Sequence, residues 1–314
     1  MRMSCHILIK NINKEINIKK YKSLGSMKNT HTHIIGAGLA GLSAAVALSA
    51  SGYPVTVHEA SPQAGGRCRS FHDEKLGCKI DNGNHLILGG NKSVFAYLKV
   101  IGNESGLISH EPSTFPFVDL NSGLEWNIRP NSGLIPWWIF LKSRRVPETQ
   151  WFDYLSVLKL SLFSSSATVG EKLGKDAKMR ERLWEPICKA ILNTEIDLAS
   201  ASLLWPVMKL TFGGGESSSR PYFARDGLGP ALIDPALDFI KNNGGEIKYG
   251  NRLKKINITK RKAYSIDFGE HQINLNNNKN LILAVPPMSA KQLLPELTTP
   301  LHSRAIVNAH FKIN

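Results

Sequence analysis

Six consecutive residues with the strongest chemical implication are Gly36-Ala37-Gly38-Leu39-Ala40-Gly41, a G-x-G-x-x-G pattern. Between a strand and a helix each glycine has a physical task. The first makes the turn, the second lets backbone approach a pyrophosphate, and the third permits close helix–strand packing. Leu39 and Ala40 open the helix, whose unpaired N–H groups and partial positive charge favour a diphosphate. Glu59, 23 residues after Gly36, is placed to accept hydrogen bonds from an adenosine ribose. Glycines alone say little, because turns at strand–helix junctions use them for conformational reasons.

The elements that must position these groups are legible around them. Thr32 to Ile35 is a β-branched run ending at Gly36, and Leu39 to Ser51 is rich in Ala and Leu, which predicts strand, tight turn and helix. Gly52 ends the helix and Pro54 to Val57 supplies a second apolar strand closing on Glu59, so the unit is a βαβ. A helix is expected from Ser93 to Ile101, and others around Tyr154 to Phe163 and Lys178 to Leu192, before a Gly/Ser loop at 213–219. From Pro221 the α/β character returns, with a helix around Ala231 to Lys241 and strands at Glu246 to Tyr249 and Leu281 to Val285. The expected fold is α/β, a Rossmann-like nucleotide-binding domain interrupted by an inserted α+β domain. Its divisions are a basic extension over 1–30, a first nucleotide-binding part over 31–93, the insertion over 94–220, a second nucleotide-binding part over 221–290 and a final stretch over 291–314 that starts the return to the inserted domain and includes a strand from Ile306 to Ile313.

Composition excludes several classes. The net charge of +14 is uneven: 1–30 holds seven Lys/Arg against Glu15, and 251–279 holds seven against Asp267 and Glu270. A basic tail and a solvated hairpin account for this better than a nucleic-acid groove, which needs interleaved aromatics, so no nucleic-acid partner is expected. Cys5, Cys68, Cys78 and Cys188 show no metal-ligand spacing with each other or with histidines, so no metal site is expected and the thiols read as reduced and cytoplasmic. No run reaches the roughly 20 apolar residues of a membrane-spanning helix.

Two further motifs bear on chemistry. Gly65-Gly66-Arg67 comes six residues after Glu59. Asp81-Asn82-Gly83-Asn84-His85 reads as a tight turn, since Asn-Gly accepts positive φ, and His85 is either a structural hydrogen-bonding residue or one that faces a ligand.

The succession Glu59-Ala60 then Gly65-Gly66-Arg67 resembles the flavin-containing amine oxidase and phytoene desaturase superfamily. The segments Arg225-Asp226-Gly227-Leu228-Gly229, Tyr249-Gly250-Asn251-Arg252-Leu253 and Leu283-Ala284-Val285-Pro286-Pro287 are similar to later parts of it in the same order. The resemblance implies FAD as cofactor, held by Gly36, Gly38, Leu39, Ala40, Gly41, Glu59, Ala60, Gly65, Gly66, Arg67, Gly83, Asn84 and Leu253. Longer strings, HEASPQAGGRCRSF at 58–71, DNGNHLILGGN at 81–91 and RLWEPICKAILNTE at 182–195, resemble the hydroxysqualene dehydroxylase family. That family removes the hydroxyl of 12-hydroxysqualene with reduced flavin to give squalene. A phytoene- or carotenoid-type desaturase and an amine oxidase are the rival flavoenzymes, and an inactive ADP-binding module is the rival from another class.

The implied chemistry needs an acid for the departing hydroxyl, for which Asp81 and His85 are the nearest motif residues. It also implies an apolar path for the isoprenoid. Trp126, Trp137, Trp138, Phe140, Trp151, Phe152, Trp184 and Trp205 could line it, and Leu134 to Leu141 with Lys142, Arg144 and Arg145 could make a peripheral contact with the inner face of the cytoplasmic membrane. The electron donor is not specified by any motif. The superfamily pattern continues with a second flavin-binding segment beyond Asn314, so the chain reads as C-terminally truncated.

Overall fold

The computed structural model describes residues 30–83, 85–161, 166–174, 176–300 and 303–313. Asn84, Cys5 and all of the basic extension except Thr30 lie outside them. Two compact units divide the chain: Met1–His85 with Ser93–Leu107 and Ala224–Asn314, and Leu86–Lys92 with Ile108–Phe223.

The first unit is built on a parallel sheet. Strand β1 (His31–Ile35) leads into helix α1 (Leu39–Ala50) and returns as β2 (Val55–His58), with Thr32 beside Val55 and Ile35 beside His58. Hairpin strands β3 (Ser70–Asp73) and β4 (Cys78–Asp81) follow, then α2 (Lys92–Val100). After the second unit come α3 (Asp234–Asn242), β5 (Glu246–Lys248), β6 (Lys255–Thr259), β7 (Lys262–Asp267), β8 (Gln272–Asn274), β9 (Lys279–Leu283) and α4 (Pro287–Leu293). The parallel sheet has the order β5–β2–β1–β9, and β6–β7–β8 form a separate antiparallel sheet. Parallel strands covered on both faces must be apolar nearly throughout. β2 is accordingly buried at every position, as is β1 from Thr32 onward.

Helix α1 buries Gly41, Leu42, Ala45, Val46 and Ser49, a single stripe facing β1, β2 and α3. Its end is closed by Gly52 in a left-handed conformation, with the amides of Ser51, Gly52 and Tyr53 bonded back to Leu48 and Ser49. A second apolar cluster joins Ile35 to Ile256 and Ile266 of the antiparallel sheet and to Leu253, Phe268 and Leu275, which flank its strands.

Helix α2 and the turn after it belong to this first unit, whereas the sequence placed 94–107 in the insertion. The reason is tertiary. Tyr97 Oη donates to the Leu232 carbonyl at 2.8 Å, and Asn103 Nδ2 donates to the carbonyls of Pro230 and Ala231 at 3.1 and 2.9 Å. The expected strand from Ile306 to Ile313 is corrected: 303–313 has no regular structure, and Ile306, Val307, Phe311 and Ile313 are exposed. A β-branched run becomes a strand only beside a hydrogen-bonding neighbour, and none pairs with it among the described residues.

The second unit gathers Trp126, Ile128, Trp138, Val146, Tyr154, Met179, Leu183, Trp184 and Leu204 into one core. Tyr154 Oη accepts from the Val146 amide at 2.7 Å, which gives this buried phenol a polar anchor. The helix expected around Tyr154 to Phe163 is, over the described residues, a 3₁₀ run that spans Trp151–Ser161. Ser156 and Ser161 hydroxyls donate to carbonyls three residues back, at 2.6 Å each, in keeping with the tighter winding. The Gly/Ser segment 213–219 is not all loop, because Glu216–Ser219 forms a helical turn. Its Glu216 carboxylate accepts from Arg220 and from the amide and hydroxyl of Ser113, and the Arg220 guanidinium is the chief reason its pKa falls to about 2.

Candidate cofactor site

The glycines of the first motif divide into those the protein packs against and one that it leaves open. Gly36 has φ +104°, and a Cβ there would lie 2.5 Å from the Ala284 carbonyl oxygen. A Cβ on Gly41 would lie 1.9 Å from the Gly36 oxygen, so β1, the turn and α1 are in backbone contact. Gly38 differs, with nothing within 4 Å of its Cβ position. It is also the residue before α1, and with no side chain it supplies no cap for the helix's first amides. The N-terminal donors are therefore uncapped by any side chain beside open space, as an anion site at a helix N-terminus requires.

The second glycine motif folds against the first. The Gly65 amide donates to the Ala37 carbonyl at 2.8 Å, and Gly38 and Gly65 form an isolated parallel bridge. Gly66 sits at φ +54°, and a Cβ there would lie 3.3 Å from Gly38 Cα, so the left-handed backbone and the close approach both favour glycine. Arg67 follows on the exposed rim of this turn.

Glu59 sits at the end of β2 with both carboxylate oxygens oriented. Oε2 accepts from the Ala37 amide at 2.7 Å and Oε1 from the Ser61 amide at 2.8 Å. Each oxygen keeps acceptor capacity, which suits the paired hydroxyls of a ribose. Beyond it, Ala60 lines a cavity of about 280 Å³ with Gly250, Asn251, Arg252, Lys254, Phe268, Glu270 and His271. Leu253 turns inward to the apolar cluster below. The uncapped helix start, the backbone-only cradle and the fixed carboxylate fit the ADP half of a dinucleotide.

The Asp81 to His85 turn separates its candidates. Asp81 Oδ1 accepts from the Ser70 hydroxyl and from the Leu228 amide, the latter at 2.9 Å, while Ser70 Oγ accepts from the Gly229 amide at 2.8 Å. The carboxylate thus ties the hairpin to the turn that starts the helical segment leading into α3. Gly83 is buried, and a Cβ there would approach Asn308 Nδ2 to 3.1 Å. His85 is exposed. The aromatic residues of the second unit also divide: Trp126, Trp138 and Trp184 are core, Trp205 packs partly against it, and Trp137, Phe140, Trp151 and Phe152 face outward.

Sequence reading passed over His33 and His58, two imidazoles in central strands of the parallel sheet. His33 Nδ1 lies 3.1 Å from His58 Nε2. The signal was present as polar residues within buried β-branched runs. Burial above all, with His31, His58, Lys279 and Lys248 nearby, pushes the His33 pKa down to about 3. Unfolded His33 protonates near its ordinary value of about 6.5. Between these values the unfolded chain binds the extra proton, so stability is full above about pH 6.5 and falls as pH drops. The His33 contribution is at most about 1.4 kcal/mol per pH unit in that window. Thermal melts at pH 7 and pH 5 are expected to show a smaller acid loss for His33→Leu than for the wild type.

The fold carries a cradle suited to the ADP half of a dinucleotide, and residues 39–313 match the sequence profile of the flavin containing amine oxidoreductases, which makes the chain a flavin-dependent oxidoreductase of the amine oxidase type. The chain is 41% identical over 284 residues to hydroxysqualene dehydroxylase of Sinorhizobium fredii, which covers 90% of this chain and 68% of that protein. It is 39% identical over 280 residues to hydroxysqualene dehydroxylase of Zymomonas mobilis, covering 89% of this chain and 68% of the relative. The chain belongs to the hydroxysqualene dehydroxylase family of FAD-dependent oxidoreductases. A solved oxidoreductase from Methanosarcina mazei shares the fold, with a TM-score of 0.61 at 19% identity over 86% of this chain and 62% of that one. The chain therefore spans about two thirds of the length of these relatives.

Proposed function

We propose that this chain reduces 12-hydroxysqualene to squalene. Its identity to named hydroxysqualene dehydroxylases over about nine tenths of its length carries the reading. FAD in its reduced form supplies the hydride that replaces the allylic hydroxyl. The residues divide the remaining work. The amides opening α1 and the Gly65–Gly66 turn hold the diphosphate, Arg67 lies beside it, and Glu59 orients the ribose. The hydroxyl needs a proton to leave as water. His85 is the better source, because Asp81 serves as an acceptor for Ser70 and Leu228.

The substrate is an oil, and the second unit carries an exposed apolar set suited to reaching it. Leu134, Ile135, Trp137, Phe140, Trp151 and Phe152 are exposed beside Lys142, and the Arg144 guanidinium lies 5.1 Å from the Trp137 ring centroid. Aromatic and aliphatic side chains mixed with cations suit the headgroup boundary of an anionic bilayer, so the reading includes peripheral membrane contact. No described helix is long and apolar enough to cross a membrane.

The test is anaerobic. The chain is loaded with FAD, reduced, and given 12-hydroxysqualene in anionic or zwitterionic vesicles, with flavin absorbance followed alongside squalene by mass spectrometry. Flavin reoxidation matched by squalene, faster from anionic vesicles, is expected. Bleaching of oxidised flavin by phytoene with no squalene formed would make the chain a desaturase instead.

A further inference from the structure

The first unit holds a directional hydrogen-bond chain that ends on the wall of the cavity beside Glu59. His33 lies within β1 and His58 at the end of β2, and both are buried. His58 Nδ1 is 2.8 Å from Asn251 Oδ1, and His58 Nε2 is 3.1 Å from His33 Nδ1. An amide oxygen only accepts, so His58 carries its proton on Nδ1 and its Nε2 accepts from His33 Nδ1–H. His33 Nε2 is then a buried acceptor without a hydrogen-bond partner. Every donor in the chain points one way, from His33 through His58 to Asn251. Phe268 stacks on His58 with ring centroids 4.7 Å apart and His271 stacks on Phe268 at 4.9 Å, so the His58 ring is clamped as well as bonded.

Asn251 is fixed at a second point, because its main-chain amide donates to the Glu59 carbonyl at 2.8 Å. The residue that His58 orients is thus joined to the strand end that carries the ribose-type carboxylate. With Oδ1 committed to His58, the free part of the Asn251 amide is its NH₂, which only donates. That group has no hydrogen-bond partner among the described residues, and Asn251 lines the cavity. An adenine offers ring nitrogens that accept.

We infer that Asn251, its amide orientation set by His58, donates to a ring nitrogen of the adenine in an adenine nucleotide and is a specificity residue for that end of the cofactor. The inference rests on the dinucleotide reading of the Gly36–Gly41 loop. His58 is a positioning residue in this scheme, since it acts only through Asn251.

The experiment titrates FAD and ADP into the purified chain and its variants by calorimetry, with melting of each unliganded protein as a control. Asn251→Ala is expected to weaken both ligands about 5- to 10-fold, the loss of one neutral hydrogen bond, and to lower the unliganded melting temperature, because the buried His58 Nδ1–H loses its acceptor. His58→Phe keeps a stacked ring without the donor and is expected to weaken ADP similarly. His58→Asn, which restores an amide donor near the Nδ1 position, is expected to recover affinity to within about 2-fold of wild type. If His58→Phe does not fold, Asn251→Ala decides alone. ADP binding at wild-type strength in Asn251→Ala overturns the inference while leaving the dinucleotide site intact. A wild-type chain that binds neither FAD nor ADP removes the dinucleotide reading, and the inference with it.

Discussion

Gly41→Ala should melt far below the wild type, whereas Gly38→Ala, three residues away, should melt normally and lose its hold on FAD. At Gly41 the added carbon would sit 1.9 Å from the Gly36 carbonyl oxygen and 3.4 Å from Ala284 Cβ. The obstruction is backbone on one side and a neighbouring strand end on the other, so no rotamer relieves it. Overpacking of this kind costs typically about 1–3 kcal/mol, and a backbone clash belongs at or above the top of that range. Gly38 has φ −74° and ψ 174°, which any residue adopts, and nothing lies within 4 Å of its Cβ position. A methyl group costs the protein little there. The open space is where a diphosphate must approach the first amides of α1, so the same methyl should weaken FAD at least about 10-fold by holding the ligand off its donors. Paired melting curves and flavin titrations separate the two effects. FAD affinity at the wild-type level in Gly38→Ala would mean that the diphosphate does not bind at this helix.

What the sequence revealed and what it hid follow from the range of the interactions. The β1–α1–β2 unit was legible because each step is local: a β-branched run, a turn requiring positive φ at Gly36, an Ala-rich helix ended by Gly52. Glu59 was legible for the same reason, since its position depends on the strand that carries it. Asp81 was not. Its partner Leu228 lies 147 positions along the chain, and nothing near Asp81 announces that its carboxylate will tie a distant turn. The reach of the first unit past residue 93 was hidden likewise, because Tyr97 meets Leu232 across 135 positions. Ile306 to Ile313 shows the converse error, in which local β-propensity suggested a strand that has no described partner. His33 and His58 were visible as histidines, but their meaning required the register that sets β1 beside β2.

His85→Gln is expected to lower squalene formation about 100-fold without changing the melting temperature, while Asp81→Asn should leave turnover near the wild-type value. A general acid typically contributes 10²–10⁴-fold, and an exposed histidine can be replaced at little structural cost. Asp81 has a different burden. Its Oδ1 receives the Ser70 hydroxyl and the Leu228 amide, and a Cβ added to Gly227, at φ +102°, would lie 3.0 Å from that oxygen. Asparagine keeps an acceptor oxygen there and cannot act as an acid, so it tests chemistry apart from structure. Alanine removes the acceptor and leaves two donors unmatched, which should cost about 2 kcal/mol of stability. Single-turnover reoxidation of prereduced flavin reads the chemical step, and thermal melts read the tie. A 100-fold loss in Asp81→Asn, with His85→Gln unaffected, would transfer the proton to Asp81 and require Ser70 and Leu228 to bond a protonated carboxyl.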